Sequence, residues 1–227
     1  MTDGETGSRV SAILEKNEGN GPGTTVEALA SMMPVEPGRK PTRASSAEYA
    51  FRMARRSFVA GERIDMQGLA TQLGVDRTTL FRWVGNRDQL LTDILTSLAS
   101  ATFRDINAAI EERGAARIVR AAELYAQTLI SSKYYRTFLH RDPERALRLI
   151  STKASPLQRQ IVTFFEQALN DEADAGQLGH SLSMHDLAYL IVRVMESFLY
   201  SDLITGEQPD AGKVRSAVAA LLGCPDL

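Results

Sequence analysis

Apolar residues recur at helical spacing along nearly the whole chain from residue 45 onward, and the alternation expected of strands is absent. Phe51, Ala54 and Phe58 stand at i, i+3 and i+7, one face of a first helix ending near Gly61. Asp65 is a good N-cap for a second helix over 66–73 that buries Leu69, Ala70 and Leu73. Gly74 follows where a tight turn needs a left-handed residue, and Asp76 caps a third helix over 77–84. Asn86, with Gln89 three residues on, has the pattern of a capping box and starts a long helix that runs to about Arg113, where Gly114 breaks it. Further helices are expected at about 115–131, 132–140, 143–152 and 155–175. A penultimate helix over 183–204 and a last over 210–223 flank Thr205-Gly206-Glu207-Gln208-Pro209. The expected fold is all-α. Residues 1–42, rich in Gly, Ser, Thr and Pro, read as a flexible extension in which 26–33 could form a short helix.

The penultimate helix is apolar on nearly every side, through Leu187, Ala188, Tyr189, Leu190, Ile191, Val192, Val194, Met195, Phe198 and Leu199. A helix without a solvent face must be covered on two sides, by a second subunit or by the core of a monomer.

Composition narrows the class. At 44% hydrophobic and 24% charged residues the chain can bury a core without disulfides or metals. Its one cysteine, Cys224, cannot form an internal bridge, which fits a reducing compartment. No run reaches the roughly 18 apolar residues of a membrane span, and the N-terminus lacks the pattern of a secretory signal. The expectation is a soluble cytoplasmic protein with no membrane partner. The formal net charge of −2 conceals a basic segment: ten Arg and Lys against five Asp and Glu lie between Gly38 and Leu90. Such a segment suits a polyanion, and equally a solvated basic face.

Inside that segment two short helices meet at a glycine turn, with small Ala70 at their crossing, as in a helix-turn-helix. Val75 and Leu80 face inward, which leaves Arg77, Thr78, Thr79 and Arg82 on the outer face of the second helix. Arginine can donate two hydrogen bonds to guanine, and threonine offers a hydroxyl and a methyl. The N-terminus of the long helix, with Arg87 in its first turn, is a ready phosphate clamp.

With these residues in place, 54–91 closely resembles the TetR family of repressors, through Leu69-Ala70, Gly74-Val75-Asp76, Thr79-Leu80-Phe81, Trp83-Val84, Arg87 and Leu90-Leu91. Phe81 stands where the family usually has tyrosine, Trp83 where it usually has histidine and Arg87 where it usually has lysine. The resemblance implies that all three help to hold DNA, and the first two departures leave their backbone contacts open. It also implies a three-helix DNA-binding head over 43–91 and a helical ligand-binding and dimerisation body over 92–227, and it does not cover the extension over 1–42. The implied partners are a double-stranded DNA operator, a small apolar effector and a second copy of the chain, joined through helices about 183–204 and 210–223. Phe81-Arg82-Trp83-Val84-Gly85-Asn86-Arg87, Phe138-Leu139 and Glu196-Ser197-Phe198-Leu199-Tyr200 are similar to the QsdR-type subgroup, so the implied targets are genes for lactone breakdown.

Candidate effector contacts are Phe103, Tyr125, Thr128, Tyr134, Phe138 and Phe164, with Arg193, Glu196 and Tyr200 on the penultimate helix. Apolar walls with few polar groups suit a lactone, a fatty acid or a long alcohol. Arg193 and Glu196, at i and i+3, read either as a structural ion pair or as a polar anchor for such a ligand. His140, His180 and His185 have no metal spacing, and no nucleophile motif accompanies the Ser, His and Asp residues. The expectation is a regulator without cofactor or catalysis. A ligand-independent architectural protein or activator with the same head is the alternative.

Overall fold

The computed structural model describes residues 43–152 and 155–224, with side chains from Ser46 onward; the helix expected at 26–33 lies outside them. The described residues form helices and no strand. They are α1 (Arg43–Val59), α2 (Met66–Gln72), α3 (Arg77–Val84), α4 (Arg87–Ala109), α5 (Gly114–Ser131) and α6 (Lys133–Arg141). There follow α7 (Pro143–Ser151), α8 (Pro156–Asp174), α9 (Met184–Leu199), α10 (Ser201–Ile204) and α11 (Ala211–Leu221).

The first three helices begin where their caps place them. Asp65 accepts the backbone N–H groups of Gln67 and Gly68, both at 3.0 Å, and Asp76 accepts that of Thr79 at 2.7 Å. Gly74 takes φ +65° between α2 and α3, a value that an L side chain resists. The Asn86–Gln89 capping box closes in both directions, at 2.8 and 2.9 Å. Ala50, Ala54 and Phe58 of α1 are buried against α3 and α4, with Phe51 and Leu73 only half-buried at the edge. Leu80, fully buried, seats α3.

α4 continues as the central helix of the body, burying Leu90, Leu91, Ile94, Leu95, Leu98, Phe103 and Ile106. It ends at Ala109, earlier than the pattern implied, because buried Ile110 turns the chain extended. Gly114 then opens α5 at φ +62°, where a Cβ would come within 2.7 Å of the Gln177 carbonyl oxygen. The buried Glu172 of α8 accepts the Gly114 N–H at 2.7 Å and lies 3.4 Å from the Arg117 guanidinium. A helix start and a buried carboxylate thus satisfy each other. α5 packs on α11, and α8 on α9.

The expected single helix over 183–204 is two. α9 stops at Leu199, Tyr200 leaves the helical region at φ −112°, ψ 16°, and α10 follows. Arg136 of α6 accounts for the break: it donates to the Leu199 carbonyl at 3.3 Å and pairs with Asp202, so a side chain takes over a carbonyl at the helix end. α9 buries Leu187, Ala188, Ile191, Val192, Met195 and Leu199, yet Tyr189 and Leu190 remain exposed within one chain.

Candidate nucleic-acid interface and effector site

α3 divides its eight residues between fixing the helix and facing outward. Leu80 is buried, and Trp83 and Val84 are half-buried against the core. Thr79 is half-buried and committed to the cap: its hydroxyl bonds to Asp76 Oδ2 at 2.8 Å while its N–H meets Oδ1. Those bonds, the backbone one foremost, hold the Asp76 carboxyl below its usual range. What faces solvent is Arg77, Thr78, Phe81 and Arg82, two cations, a hydroxyl and an aromatic ring on one surface. Of the residues expected at DNA, the structure therefore brings these four together outside and places Thr79 and Trp83 in support of them.

Arg87 is half-buried in a cleft between the head and the body. Arg63, Arg141, Arg145 and Asp142 line it, with Phe58, Ile64, Leu91, Tyr134 and Phe138 as its apolar part. Burial, then Arg145 and Arg63, work against the Arg87 charge, and its Nε has no hydrogen-bond partner among the described residues. Three groups of contacts cross this joint. Phe58 of α1 meets the Tyr134 and Phe138 rings edge-on at 5.7 and 5.5 Å. Arg141 donates to the Gly61 carbonyl at 2.7 Å. Asp88, in the first turn of α4, accepts from Arg145 Nε at 2.6 Å and from Arg148 Nη2 at 3.1 Å, both on α7.

Of the residues expected to touch an effector, Tyr125 lies near enough to Tyr134, Glu196 and Tyr200 to be coupled to them electrostatically, and each has local contacts of its own. Phe103 stacks between Tyr125 and Phe164, at centroid distances of 4.6 and 3.8 Å. Thr128 is buried nearby on α5, but its hydroxyl donates to the Leu124 carbonyl at 2.8 Å. Tyr134 and Phe138 belong to the joint just described. Glu196 and Tyr200 are buried, while Arg193 is exposed. Glu196 accepts from Ser151 Oγ at 3.1 Å and pairs with Arg193; the Tyr200 and Tyr135 hydroxyls lie 3.0 Å apart.

Sequence reasoning passed over Asp88, Tyr135, Arg145, Arg148 and Ser151. The last three share a short amphipathic helix, but no local pattern shows that they face Asp88 and Glu196, which lie 45 to 60 residues away. Among the described residues no group of three His, Cys, Asp or Glu could hold a metal ion, and no helix is long and apolar enough to cross a membrane.

Burial raises the Glu196 carboxyl above its ordinary value of 4.5, against the lowering pull of Arg193 and Ser151. A carboxyl whose pKa is higher folded than unfolded contributes stability below the unfolded value and loses it as pH rises through the folded one. Glu196→Gln should remove that loss. Urea unfolding between pH 4 and 8 should show the variant gaining on the parent as pH rises; parallel pH curves would mean that Glu196 is not strained by burial.

The chain resembles known proteins in both of its parts. The family described as tetracyclin repressor-like, C-terminal domain, matches residues 113–223. No curated protein matches the sequence. Among solved structures, the transcriptional repressor QsdR of R. erythropolis, from the TetR family, is similar at TM-score 0.72 and 30% sequence identity, over 78% of this chain and 94% of QsdR. A match of that length cannot be confined to the body, and it is consistent with the helix-turn-helix built above. The chain belongs to the TetR family of transcriptional regulators, with a body of the QsdR-like type.

Proposed function

We propose that the protein is a homodimeric, effector-responsive repressor that binds a pseudo-palindromic operator and is released by a small apolar molecule. The observation that carries this reading is the outer face of α3, where Arg77, Thr78, Phe81 and Arg82 stand exposed on a helix held by Leu80 and the Asp76 cap. A helix of that build fits the major groove, and the N-terminus of α4 follows it for the phosphate backbone, with Arg87 drawn back into the cleft. The head is assigned to 43–91 and the body to 92–227. The second copy docks on α9 and α11, which would cover Tyr189 and Leu190 and place two recognition helices about one helical turn apart.

The effector is assigned to the body, where the ring stack of Phe103, Tyr125 and Phe164 supplies apolar surface and the Glu196, Ser151, Tyr135 and Tyr200 group supplies polar anchors. A lactone, a fatty acid or a long alcohol has the matching chemistry. Kinship with the QsdR-like subgroup directs the search for targets to genes of lactone breakdown.

α7 offers the route from one site to the other. Arg145 and Arg148 hold Asp88 at the start of α4, and Ser151 at the other end of α7 holds Glu196. An effector that takes Glu196 from Ser151 shifts α7, loosens its hold on Asp88 and turns the heads out of register. Effector and DNA then weaken each other reciprocally.

Selection of duplexes from random DNA by the purified protein should recover a pseudo-palindrome. Arg77→Ala and Arg82→Ala should then each cost about 1–3 kcal/mol at particular base pairs and relax the preference there. Equal weakening on every sequence would instead assign both arginines to phosphates, and no preferred sequence would defeat the operator reading. Mass spectrometry of natively purified protein should find an apolar molecule at about one per chain, and its addition should weaken operator binding. Unchanged operator affinity across lactones, acids and alcohols would favour the ligand-independent alternative.

The route through α7 has its own check. Asp88→Asn and Ser151→Ala each cut one end of the same link, so each should lower operator affinity while the double variant falls little below the worse single one. A coupling of about 0.5–3 kcal/mol is the size expected for residues that act through one element. Losses that simply multiply would mean two local effects and no link.

A further inference from the structure

Phe81 is the feature of α3 that neither cap chemistry nor core packing explains. Its side chain is 53% exposed, whereas the other exposed large apolar residues among those described, Leu182, Tyr189, Leu190 and Ile204, lie in the C-terminal part of the body. It is four residues from Arg77 and three from Thr78, so the three share one stripe of the helix. Side chains on a helix lean toward its N-terminus, so the ring covers the turn that carries Arg77 and Thr78. That turn is the end of a recognition helix that reaches base edges. Arg77 and Arg82 on either side make the surround cationic, which matches a polyanion and not an apolar protein partner.

A phenyl ring has no donor or acceptor, so it cannot hold a phosphate oxygen as a hydroxyl would. In the major groove the apolar feature of a base edge is the thymine C5-methyl group, and a ring placed against it removes both from water. We infer that Phe81 is a specificity-determining residue that reads the 5-methyl group of a thymine in each half-site. The inference rests on the reading of α3 as a base-reading helix and adds to it a base, an atom and a side chain.

Replacement of dT by dU isolates the claim, because dU pairs as dT does and lacks only the methyl group. Operators recovered by selection are resynthesised with dU at each dT in turn, in both half-sites, and their affinities for the full-length protein are measured at fixed salt. One dT per half-site should be sensitive, with a loss of about fourfold per half-site and more than tenfold for both together, the size expected of one buried methyl group. Phe81→Ala should bind the dT and dU operators equally, and Phe81→Tyr should keep the preference for dT. Because the side chain is exposed and Leu80 seats the helix, both variants should keep the parent's circular dichroism spectrum. The inference is overturned if every dU operator binds within twofold of its parent, or if the dT preference survives in Phe81→Ala; both results leave specific binding by α3 standing. A Phe81→Ala variant that weakens all sequences alike, with no dU effect, places the ring on the sugar-phosphate backbone and overturns it too. Recovery of no preferred sequence would remove this inference together with the reading beneath it.

Discussion

α4 runs through one continuous core that the first three helices share with the rest of the chain, and that membership constrains the molecule. Its first turn, closed by the Asn86–Gln89 capping box, stands beside the recognition helix. Its remaining turns carry the central row of the body from Leu90 to Ile106. At 23 residues it is about 35 Å long, a hydrogen-bonded rod that resists bending within its length. A change of tilt at one end must therefore appear at the other, provided that the joint around its first turn lets it move. The Asp88 pairs with Arg145 and Arg148, the Arg141 bond to Gly61 and the rings around Phe58 set that resistance.

Two buried carboxylates show different solutions to the same cost. A carboxylate removed from water is expensive unless donors surround it. Glu172 meets the Gly114 N–H and Arg117, and so joins α8 to the start of α5 in an arrangement that leaves it committed on both sides. Glu196 has a serine from another helix and an arginine from its own, and burial still dominates its electrostatics.

The head illustrates how much of an exposed surface is fixed by residues engaged with a cap or with the core. Thr79 uses its hydroxyl on Asp76, Leu80 uses its whole side chain on the core, and Trp83 lies half-buried behind the helix. Only what is left over faces outward. Since each N-cap and each buried leucine restricts the rotation of α3, four side chains suffice to define a chemical surface of donors flanking an apolar ring.

Much of this was legible in the sequence because it depends on neighbours along the chain. Caps act over two or three residues, helical faces over three or four, and left-handed turns at a single glycine, so Asp65, Asp76, Asn86 and Gly74 announced the head and the helix starts directly. The aromatic stack was not legible as a stack: Phe103, Tyr125 and Phe164 stood out only as separate large rings on expected helices, with two further helices between the last two. What the tertiary structure decided rests on groups far apart in sequence. The early end of α4, the break of α9 at Tyr200 by Arg136, and the packing of Tyr134 and Phe138 against Phe58 each depend on distant packing. So does the role of α7 as a bridge, because a hydrogen bond across 45 or 60 residues leaves no periodic trace. Local patterns determine where helices start and which side turns inward; only the folded chain decides which inward side meets which, because that choice is made by the packing of the whole core.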